Sequence, residues 1–337
     1  MPAPQPSFAP ALMAAIQRAM VGVSAIANLH RLSGGASQET WSFDALTGDS
    51  IRPLVLRRAP GGALVQRSAT AVSLATEARV IRLAEAARVP VPPVPYVLQD
   101  SDELGPGYIM GRIEGETIAR KILRDPEYAA ARPRLARQCG EILALIHGIR
   151  KSQLGELRVV TPEAQFEQYR SIYDGYNYPH PVFETAFKWL ERRIPEPRDL
   201  TLVHGDFRNG NLMIGQDGVR AVLDWELTHV GDPAEDLGWI CVNSWRFGET
   251  HKVVGGFGDV SELLAGYAGA GGAGMTAERV KFWEVFGTLK WGIMCMTMYQ
   301  VFALGSDRSV ERAAIGRRSS ETEIDLVNLL YPKAATP

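Results

Sequence analysis

Three oxygen-bearing side chains lie close together in the stretch 202–225 of the chain. Apolar residues lead into Asp206, Asn211 precedes a second short apolar run, and Asp224 ends a third. A carboxylate can take the proton of a substrate hydroxyl, and carboxylate and amide oxygens are ligands for Mg²⁺, the ion that offsets the charge of a triphosphate. The spacing therefore predicts phosphoryl transfer, with Asp206 as the catalytic base and with Asn211 and Asp224 as the metal ligands.

Each of these residues, taken alone, has a simpler interpretation. An aspartate at the end of a short strand often only caps a turn. The ordered string of acid, four intervening residues, amide, short hairpin and second acid is harder to obtain by accident. The catalytic interpretation is therefore favoured for the set as a whole.

The residues around this set resemble those of a known family. His204 and Gly205 precede the first acid, Trp225 follows the second, and the segment 231–238 reads Gly-Asp-Pro-Ala-Glu-Asp-Leu-Gly. These features resemble the aminoglycoside phosphotransferase and choline kinase-like family, which has a protein kinase-like fold. The resemblance implies a small-molecule kinase that uses Mg²⁺ and ATP, with GTP left open as the nucleotide.

The elements predicted along the chain agree with an α+β, bilobal fold. We expect a small β-rich N-lobe, residues 1–111, that binds the nucleotide, and a larger, mainly helical C-lobe, residues 112–337, for catalysis and substrate binding. Strands are predicted at 40–43, 53–57, 95–98, 107–111, 200–203, 211–214 and 219–223. Helices are predicted at 8–20, at 68–87, up to His147 and, as a buried helix, at 291–304. The aromatic stretch 151–199 is predicted to be irregular.

A turn rich in small residues lies between two candidate strands, immediately before the strand predicted at 40–43. Backbone N–H groups can approach phosphates closely where side chains are small. The resemblance therefore implies a phosphate-binding turn, although a plain hairpin turn is an equally good interpretation. Its residues are Ser33, Gly34, Gly35, Ala36 and Ser37.

Three further nucleotide-binding residues are implied by the resemblance. Arg57 stands where the family usually has a lysine for the α- and β-phosphates, Glu77 would be its acidic partner, and the backbone at Met110 would receive the adenine edge. Strand alternation places Arg57 and Arg58 on opposite faces, so only one can reach a nucleotide. Both arginines could instead be solvated strand charges. An arginine stays charged but reaches a phosphate differently from a lysine, which leaves the efficiency of turnover open.

Other polar residues receive a supporting role or none. The resemblance implies that Asp232 and Asp236 brace the catalytic loop rather than bind substrate. His147 lies on an apolar helix face and is predicted to be a hydrogen-bonded core histidine. His229 receives no role.

Composition excludes several other classes of protein. The net charge is −2 and the basic residues are scattered, so nucleic acid is not expected as a partner. The three cysteines are far apart, which favours a reducing cytoplasm over a disulfide or zinc framework. Neither a signal peptide nor a membrane span is predicted. The G-x-G-x-x-G match at 269–274 follows a predicted helix, so it fails the context test for dinucleotide binding.

The acceptor is predicted only as a hydroxylated small molecule. The segments 56–60 and 309–323 resemble the subgroup related to kinase domains fused to acyl-CoA dehydrogenases, which implies a metabolic or hydroxyacyl-type substrate rather than an antibiotic. The alternative is a catalytically weak or inactive nucleotide-binding protein with a kinase fold, because the usual lysine is missing. A hydrolase is disfavoured, since no G-x-S-x-G or H-E-x-x-H motif occurs.

Overall fold

The chain forms two compact units. The computed structural model describes residues 6–32, 38–62, 70–197 and 199–332. One unit comprises Met1–Gly115 with Arg220–Thr228, and the other comprises Glu116–Val219 with His229–Pro337. The sequence-based division at residue 111 remains a prediction about the lobes.

The strands of the first unit form one antiparallel sheet. Its order is β1-β2-β3-β5-β4. The described strands are β1 (Ala25–Arg31), β2 (Glu39–Thr47), β3 (Ser50–Arg58), β4 (Tyr96–Val97), β5 (Gly107–Gly111), β6 (Thr201–Val203), β7 (Leu212–Gly215), β8 (Gly218–Val222) and β9 (His229–Gly231). Strand β6 pairs with β9, and β7 pairs with β8.

The two faces of the five-stranded sheet differ in chemistry. Phe43 lies opposite Leu54, and both belong to an apolar cluster that includes Leu12 of the first helix. Thr40 lies opposite Arg57. Because side chains alternate along a strand, Arg57 points to the face away from that cluster.

Helices make up most of the second unit. The described helices of the chain are α1 (Ala9–Ala19), α2 (Leu74–Ala86), α3 (Ala119–Arg124), α4 (Arg132–His147), α5 (Pro162–Gly175), α6 (Pro181–Glu191), α7 (Ala234–Trp239), α8 (Val260–Gly269), α9 (Ala277–Ala303), α10 (Val310–Gly316) and α11 (Ser319–Leu330). The predicted α+β class, with a smaller β-rich part and a larger helical part, is confirmed.

Helix α2 begins later than the sequence pattern suggests. The Ser73 side chain accepts a hydrogen bond from the backbone N–H of Thr76, which caps the helix at that point. Residues 70–73 therefore lie outside the helix, and the predicted start at residue 68 is wrong. Glu77 follows in the first turn and is fully buried.

The stretch 151–199 contains two helices, so the prediction of an irregular segment is wrong. Helix α5 is capped by Thr161 and has a proline in its first turn, and α6 also begins with a proline. Tyr169 and Tyr173 lie four residues apart on α5, which is helical spacing. These aromatic side chains pack with Phe187 and Phe286 in one apolar cluster.

Helix α9 runs for 27 residues and is buried only in part. The side chains from Trp291 to Cys295 are mostly buried, whereas Tyr299 is 55% exposed and Leu304, just after the helix, is 74% exposed. The predicted buried helix at 291–304 is thus correct only for its first part. No helix in the described ranges is long and apolar enough to cross a membrane.

Helices α4 and α8 pack closely through glycine. A Cβ atom placed on Gly140 would lie 2.0 Å from the Leu263 carbonyl oxygen, and one on Gly266 would lie 2.0 Å from the Arg137 carbonyl oxygen. Only glycine allows the two backbones to approach this closely. The loop from Gly269 to Gly274 follows α8, as the sequence predicts.

The three cysteines are free and buried. Cys139 lies in α4, Cys241 follows α7, and Cys295 lies in α9. Burial raises the pKa of each thiol above its ordinary value. These thiols are therefore protonated and poorly reactive in the folded chain.

Candidate active site

The turn after β6 is fixed by one buried carboxylate. Asp236 accepts hydrogen bonds from the backbone N–H groups of His204, at 2.8 Å, and Gly205, at 2.9 Å. His147 Nε2 lies 3.2 Å from the same carboxylate. Gly205 has a φ of +83°, a conformation that favours glycine. Asp236 thereby holds the loop that carries Asp206, which is the bracing role predicted for it.

Three side chains donate hydrogen bonds to the Asp206 carboxylate. Trp239 Nε1 lies 2.7 Å from Oδ1, and Asn211 Nδ2 lies 2.6 Å from Oδ2. Arg208 Nε is 3.0 and 3.2 Å from the two oxygens. The Asp206 side chain is 16% exposed, so the carboxylate is both oriented and reachable.

Asn211 is held by the same loop. Its Nδ2 atom also donates to the Asp206 backbone carbonyl, at 3.0 Å. Gly210, with a φ of +114°, allows the chain to turn just before it. Because Nδ2 makes both bonds, Oδ1 is the atom of this side chain that is suited to a cation.

Arg208 has N–H donors that are not used in hydrogen bonds among the described residues. Its Nε binds Asp206, and its guanidinium carbon lies 4.6 Å from the centre of the Trp245 ring. Within the part of the chain that the structure describes, its two terminal amino groups make no hydrogen bond. A planar guanidinium with free N–H groups beside the carboxylate can bind an anion.

Arg57 of the first unit is the centre of a second polar cluster. Its Nη2 atom lies 2.7 Å from Asp224 Oδ1 and 3.3 Å from Glu77 Oε1, and Nε donates to Gln38 at 2.5 Å. Tyr108 donates its hydroxyl hydrogen to Glu77 at 3.1 Å. The arginine therefore bridges the helical Glu77 and the predicted metal ligand Asp224.

Electrostatics keep this arginine charged. Burial alone lowers the pKa of Arg57, but the negative charges of Glu77 and Asp224 raise it well above its ordinary value. Burial and the nearby Glu77 also raise the pKa of Tyr108 well above its ordinary value. The cluster thus offers a permanent cation beside a neutral phenol.

Asp224 has an unusual backbone. Its φ and ψ are +66° and +64°, the left-handed region that residues with a Cβ rarely adopt. The buried Trp225 follows it and donates from Nε1 to the Val222 carbonyl at 3.2 Å. The Asp224 side chain is 33% exposed and can still reach a ligand. Strained backbone of this kind often occurs at functional positions.

Arg58 points the other way. Its Nη2 atom lies 3.0 Å from Glu39, and its guanidinium carbon lies 3.9 Å from the centre of the Phe8 ring. The prediction that Arg57 and Arg58 lie on opposite faces is confirmed by these partners. Whether either arginine binds a nucleotide remains a prediction.

A cavity of about 580 Å³ lies in the first unit. Ser42 and Asp44 of β2 line it, together with Arg112, whose guanidinium lies 2.9 Å from Asp44. Ser42 is two residues from Thr40 and pairs with Val55, so the cavity opens on the face of the sheet that carries Arg57. The sequence did not single out these lining residues.

The other predicted nucleotide-binding residues have separate outcomes. Ser33, Gly34, Gly35, Ala36 and Ser37 lie outside the described residues. Met110 lies in β5 opposite Val55, and its contact with adenine remains a prediction.

The predicted chemical groups therefore occur in two sets. Arg57, Glu77 and Asp224 meet in the first unit, and Asp206 and Asn211 meet in the second. Convergence of all of these on one nucleotide remains a prediction.

Three further polar residues that the sequence analysis considered, His147, His229 and Asp232, have partners within the second unit. His147 is buried, and its Nδ1 lies 3.1 Å from the Tyr267 hydroxyl, so the predicted core role fits its surroundings. His229 lies 3.2 Å from Glu235, and Asp232 lies 2.7 Å from Arg279. These contacts lie inside the second unit, and the bracing role of Asp232 remains a prediction.

The donor atoms suit magnesium better than a transition metal. Among the described residues no group of three or more His, Cys, Asp or Glu side chains is arranged to hold a metal. Magnesium needs only one or two carboxylate or amide oxygens, since nucleotide phosphates and water supply the rest. Asp224 supplies a carboxylate oxygen and Asn211 an amide oxygen, which are the ligand types that magnesium requires.

A family model described as the phosphotransferase enzyme family matches residues 28–275, well over half of the chain. The chain belongs to this family. The resemblance predicted from the loops around Asp206 and Asp224 is therefore confirmed.

Relatives of this phosphotransferase are of two kinds. Acyl-CoA dehydrogenase family member 10 of Mus musculus is 30% identical over 62% of this chain and 20% of its own length. A candidate aminoglycoside phosphotransferase of Ralstonia eutropha has a solved structure with a TM-score of 0.75 and 22% identity, covering 95% of this chain and 97% of that one. Spectinomycin phosphotransferase, solved with ADP and spectinomycin, gives a TM-score of 0.60 at 14% identity, covering 97% and 99%. The protein kinase-like fold is thus confirmed.

This phosphotransferase spans only part of its curated relatives. It covers 37%, 20% and 36% of the length of three of them. All three are named as acyl-CoA dehydrogenases or members of that family, and they contain this kinase-like domain. The predicted subgroup is therefore confirmed.

Sequence reasoning missed two side chains near Asp206. Trp239 binds Asp206, and the Lys290 ammonium lies 5.0 Å from the centre of the Trp239 ring and 3.3 Å from Glu235. Trp239 follows the Gly-Asp-Pro segment directly, which was the one available signal. Lys290 lies on α9, and nothing in its local sequence points to the site.

Proposed function

We propose that this phosphotransferase moves the γ-phosphate of ATP to a hydroxyl group of a small molecule, with Asp206 as the base. The observation that carries the proposal is the Asp206 carboxylate, which three donors orient while it stays 16% exposed. The acceptor O–H bond breaks as its proton passes to Asp206. The acceptor oxygen bonds to phosphorus, and the bond from phosphorus to the ADP oxygen breaks.

Asn211 and Asp224 are the proposed magnesium ligands. The ion, when bound, offsets the charge on the phosphate oxygens. In the structure Asp224 is paired with Arg57, at 2.7 Å. A nucleotide that draws Arg57 toward its phosphates would free the Asp224 carboxylate for the cation.

Arg57 and the cavity lined by Ser42 and Asp44 are the proposed nucleotide site. Both lie on the same face of the sheet. A guanidinium binds phosphate oxygens through two N–H groups, and the cavity has room for a nucleoside. ATP is proposed as the donor, and competition by GTP tests that choice.

The acceptor is proposed to be an anionic hydroxy compound of metabolism, of the hydroxyacyl type. Two of the curated relatives are named as an acyl-CoA dehydrogenase or a member of that family. Arg208 carries free donor groups beside Asp206 and would attract an anion but repel a polycationic aminoglycoside. Screening hydroxy acids, hydroxyacyl-CoAs and aminoglycosides for phosphate uptake from labelled ATP tests this choice.

The base is tested by slow ATP hydrolysis with Mg²⁺, which needs no acceptor. We expect Asp206→Asn to lower the rate by at least about 100-fold, because water loses its proton acceptor. Nucleotide affinity, measured by calorimetry, should stay within about threefold, since Asp206 contacts no nucleotide group before transfer. Equal rates for the variant and the wild type would contradict the assignment.

The metal ligand is tested by thermal stability. Wild-type protein should melt at a higher temperature with Mg-ATP than with ATP and EDTA, because a ligand that binds only the folded state stabilises it. We expect Asp224→Ala to lose this metal-dependent difference. The same difference in wild type and variant would show that Asp224 does not hold the ion.

A second candidate function is a nucleotide-binding protein with little turnover. The Arg57–Asp224 pair favours it, since that pair competes with the metal. It predicts that Mg-ATP binds while hydrolysis is equally slow in wild type and in Asp206→Asn. The hydrolysis assay therefore separates the two functions.

A further inference from the structure

The hydrogen bond from Trp239 to Asp206 is short and directed. Trp239 is the last residue of α7 and is 5% exposed. Its Nε1 atom lies 2.7 Å from Asp206 Oδ1, at the short end of the range for an N–H donor to a carboxylate. Indole N–H is a donor only, so the direction of the bond is unambiguous.

The indole ring is fixed from several sides. The Trp245 ring centre lies 5.3 Å from it. A Cβ atom on Gly287 of α9 would lie 3.1 Å from Trp239 Cε3, so that glycine makes room for the ring. A ring confined in this way cannot turn its N–H away from Asp206 without moving α7 or α9.

Lys290 fixes the remaining face of the indole. Its ammonium lies 5.0 Å from the ring centre. Glu235 holds this ammonium at 3.3 Å, and Gln165 donates to Glu235 in turn at 2.5 Å. A cation over an indole face attracts the ring's π electrons and makes the N–H a better donor.

The geometry assigns Trp239 as a positioning residue for the base. This inference rests on the proposed function. A carboxylate has about four acceptor positions. Trp239 and Asn211 each fill one, and Arg208 is shared between the two oxygens, so roughly one position remains for the acceptor hydroxyl. Without Trp239 the carboxylate could rotate toward Arg208, and the open position would no longer face one direction.

The test compares two tryptophans that differ in this one bond. Trp239→Phe keeps an aromatic ring but removes the N–H donor. Trp283→Phe is the matched control, because Trp283 is 2% exposed and packs against α7 at Gly238. Its Nε1 atom has no hydrogen-bond partner among the described residues. Both changes therefore reduce a buried indole, and only one affects Asp206.

We expect Trp239→Phe to lower kcat of ATP hydrolysis by about 10- to 100-fold, with KM for ATP within about threefold, since a hydrogen bond to a charged group is lost. Trp283→Phe should keep kcat within about threefold. In the Asp206→Asn background, Trp239→Phe should cause no further loss, because the two residues act as one unit. Equal losses in Trp239→Phe and Trp283→Phe, or additive losses with Asp206→Asn, would overturn the inference.

A second readout does not depend on activity. The indole ¹H–¹⁵N resonance of Trp239, assigned as the one absent from Trp239→Phe, should move upfield in Asp206→Asn, because its acceptor loses its charge. If the wild type hydrolyses no ATP, the proposed function fails, and this resonance alone decides the positioning contact. A resonance that stays in place overturns it, and one that moves supports it.

Discussion

Arg57 contacts Glu77 and Asp224 at the same time, and its chemistry explains why it can. A guanidinium is planar and presents several N–H groups, whereas a lysine ammonium is a compact point charge. Glu77 is fully buried, so the arginine also neutralises a carboxylate that would otherwise be costly in the interior. An arginine at this position can therefore pair with both carboxylates at once.

Removal of Arg57 should weaken nucleotide binding more than removal of Arg58. Both arginines are ion-paired, Arg58 buried and Arg57 half-buried, but only Arg57 faces the side of the sheet that carries Ser42 and Asp44. We expect Arg57→Ala to lower the affinity for Mg-ATP by at least about tenfold and Arg58→Ala by less than about threefold. Calorimetric titration of folded protein measures both affinities.

A conservative variant separates a loss of nucleotide binding from a loss of folding. Arg57→Ala removes one charged partner of the buried Glu77 and is therefore expected to destabilise the fold. Arg57→Lys keeps the charge and should bind Mg-ATP better than Arg57→Ala does. Equal affinities of Arg57→Ala and Arg58→Ala for Mg-ATP would contradict the proposal that the nucleotide binds on the sheet face that carries Arg57.

Sequence reasoning reached some of these residues and missed others. The opposite directions of Arg57 and Arg58 follow from strand alternation, which is a local property. The contact between Asp206 and Trp239 joins residues 33 positions apart, and it depends on where α7 ends relative to the turn after β6. No periodicity carries that information, so only the folded chain reveals it.

At the scale of elements, α4 and α8 together support the turn that carries Asp206. His147 at the end of α4 lies 3.2 Å from Asp236, and its other ring nitrogen lies 3.1 Å from the Tyr267 hydroxyl of α8. The close approach of the two helices at Gly140 keeps this chain of contacts short. Packing far from the chemistry therefore helps to fix the turn that carries Asp206.

Gly140→Ala should destabilise the protein. The added Cβ would lie 2.0 Å from the Leu263 carbonyl oxygen, so α4 and α8 must separate. We expect a loss of about 1–3 kcal/mol in the free energy of unfolding, measured with urea. Gly175→Ala at the end of α5 is the control, because a Cβ there meets nothing within 4 Å.

That control should be neutral or slightly stabilising, by up to about 1 kcal/mol, since alanine favours a helix more than glycine does. A Gly140→Ala variant as stable as Gly175→Ala would show that the helices adjust at no cost. The contact between them would then not be needed to support Asp236.

The sequence predicted strands better than helices. Strands β2, β3 and β5 are short apolar runs bounded by turn residues, and these local signals are strong. Helix α5 was missed because its many polar residues obscure the helical period. Helix α6 was missed although its buried residues Phe183, Ala186, Phe187 and Leu190 follow helical spacing, so the sequence did carry a signal for it.

For the whole molecule, a buried ion pair links pH to stability. Burial alone raises the pKa of Glu235, but Lys290 and His229 lower it to about 2. Burial lowers the pKa of Lys290, but Tyr169, Glu235 and Asp206 raise it above its ordinary value on balance. Both groups therefore remain charged at neutral pH.

The sign of the effect follows from the lowered pKa of Glu235. A carboxyl group with a depressed pKa in the folded state stabilises the fold above its ordinary pKa of 4.5, and that contribution is lost as the pH falls from there to about 2. The contribution is of the order of 3 kcal/mol. We expect the free energy of unfolding of the wild type to fall more steeply over this range than that of Glu235→Gln.

Urea unfolding at several pH values measures both curves. Other acids also titrate in this range, so the contribution of Glu235 is obtained from the difference between the two curves of unfolding free energy against pH. Parallel curves would contradict the lowered pKa of Glu235. At the scale of the chain, the sequence predicted the fold class and the family because the loop residues occur in a fixed order, whereas a pair such as Glu235 and Lys290 has no such order.

The buried cysteines allow local opening of the molecule to be measured by thiol labelling. A thiol-reactive dye can reach Cys139, Cys241 or Cys295 only when the helices around it move apart. All three lie in the second unit, so labelling does not report local opening that is confined to the sheet that carries Arg57. The rate of the dye reaction thereby reports how often the second unit opens locally, and no engineered cysteine is needed to measure it.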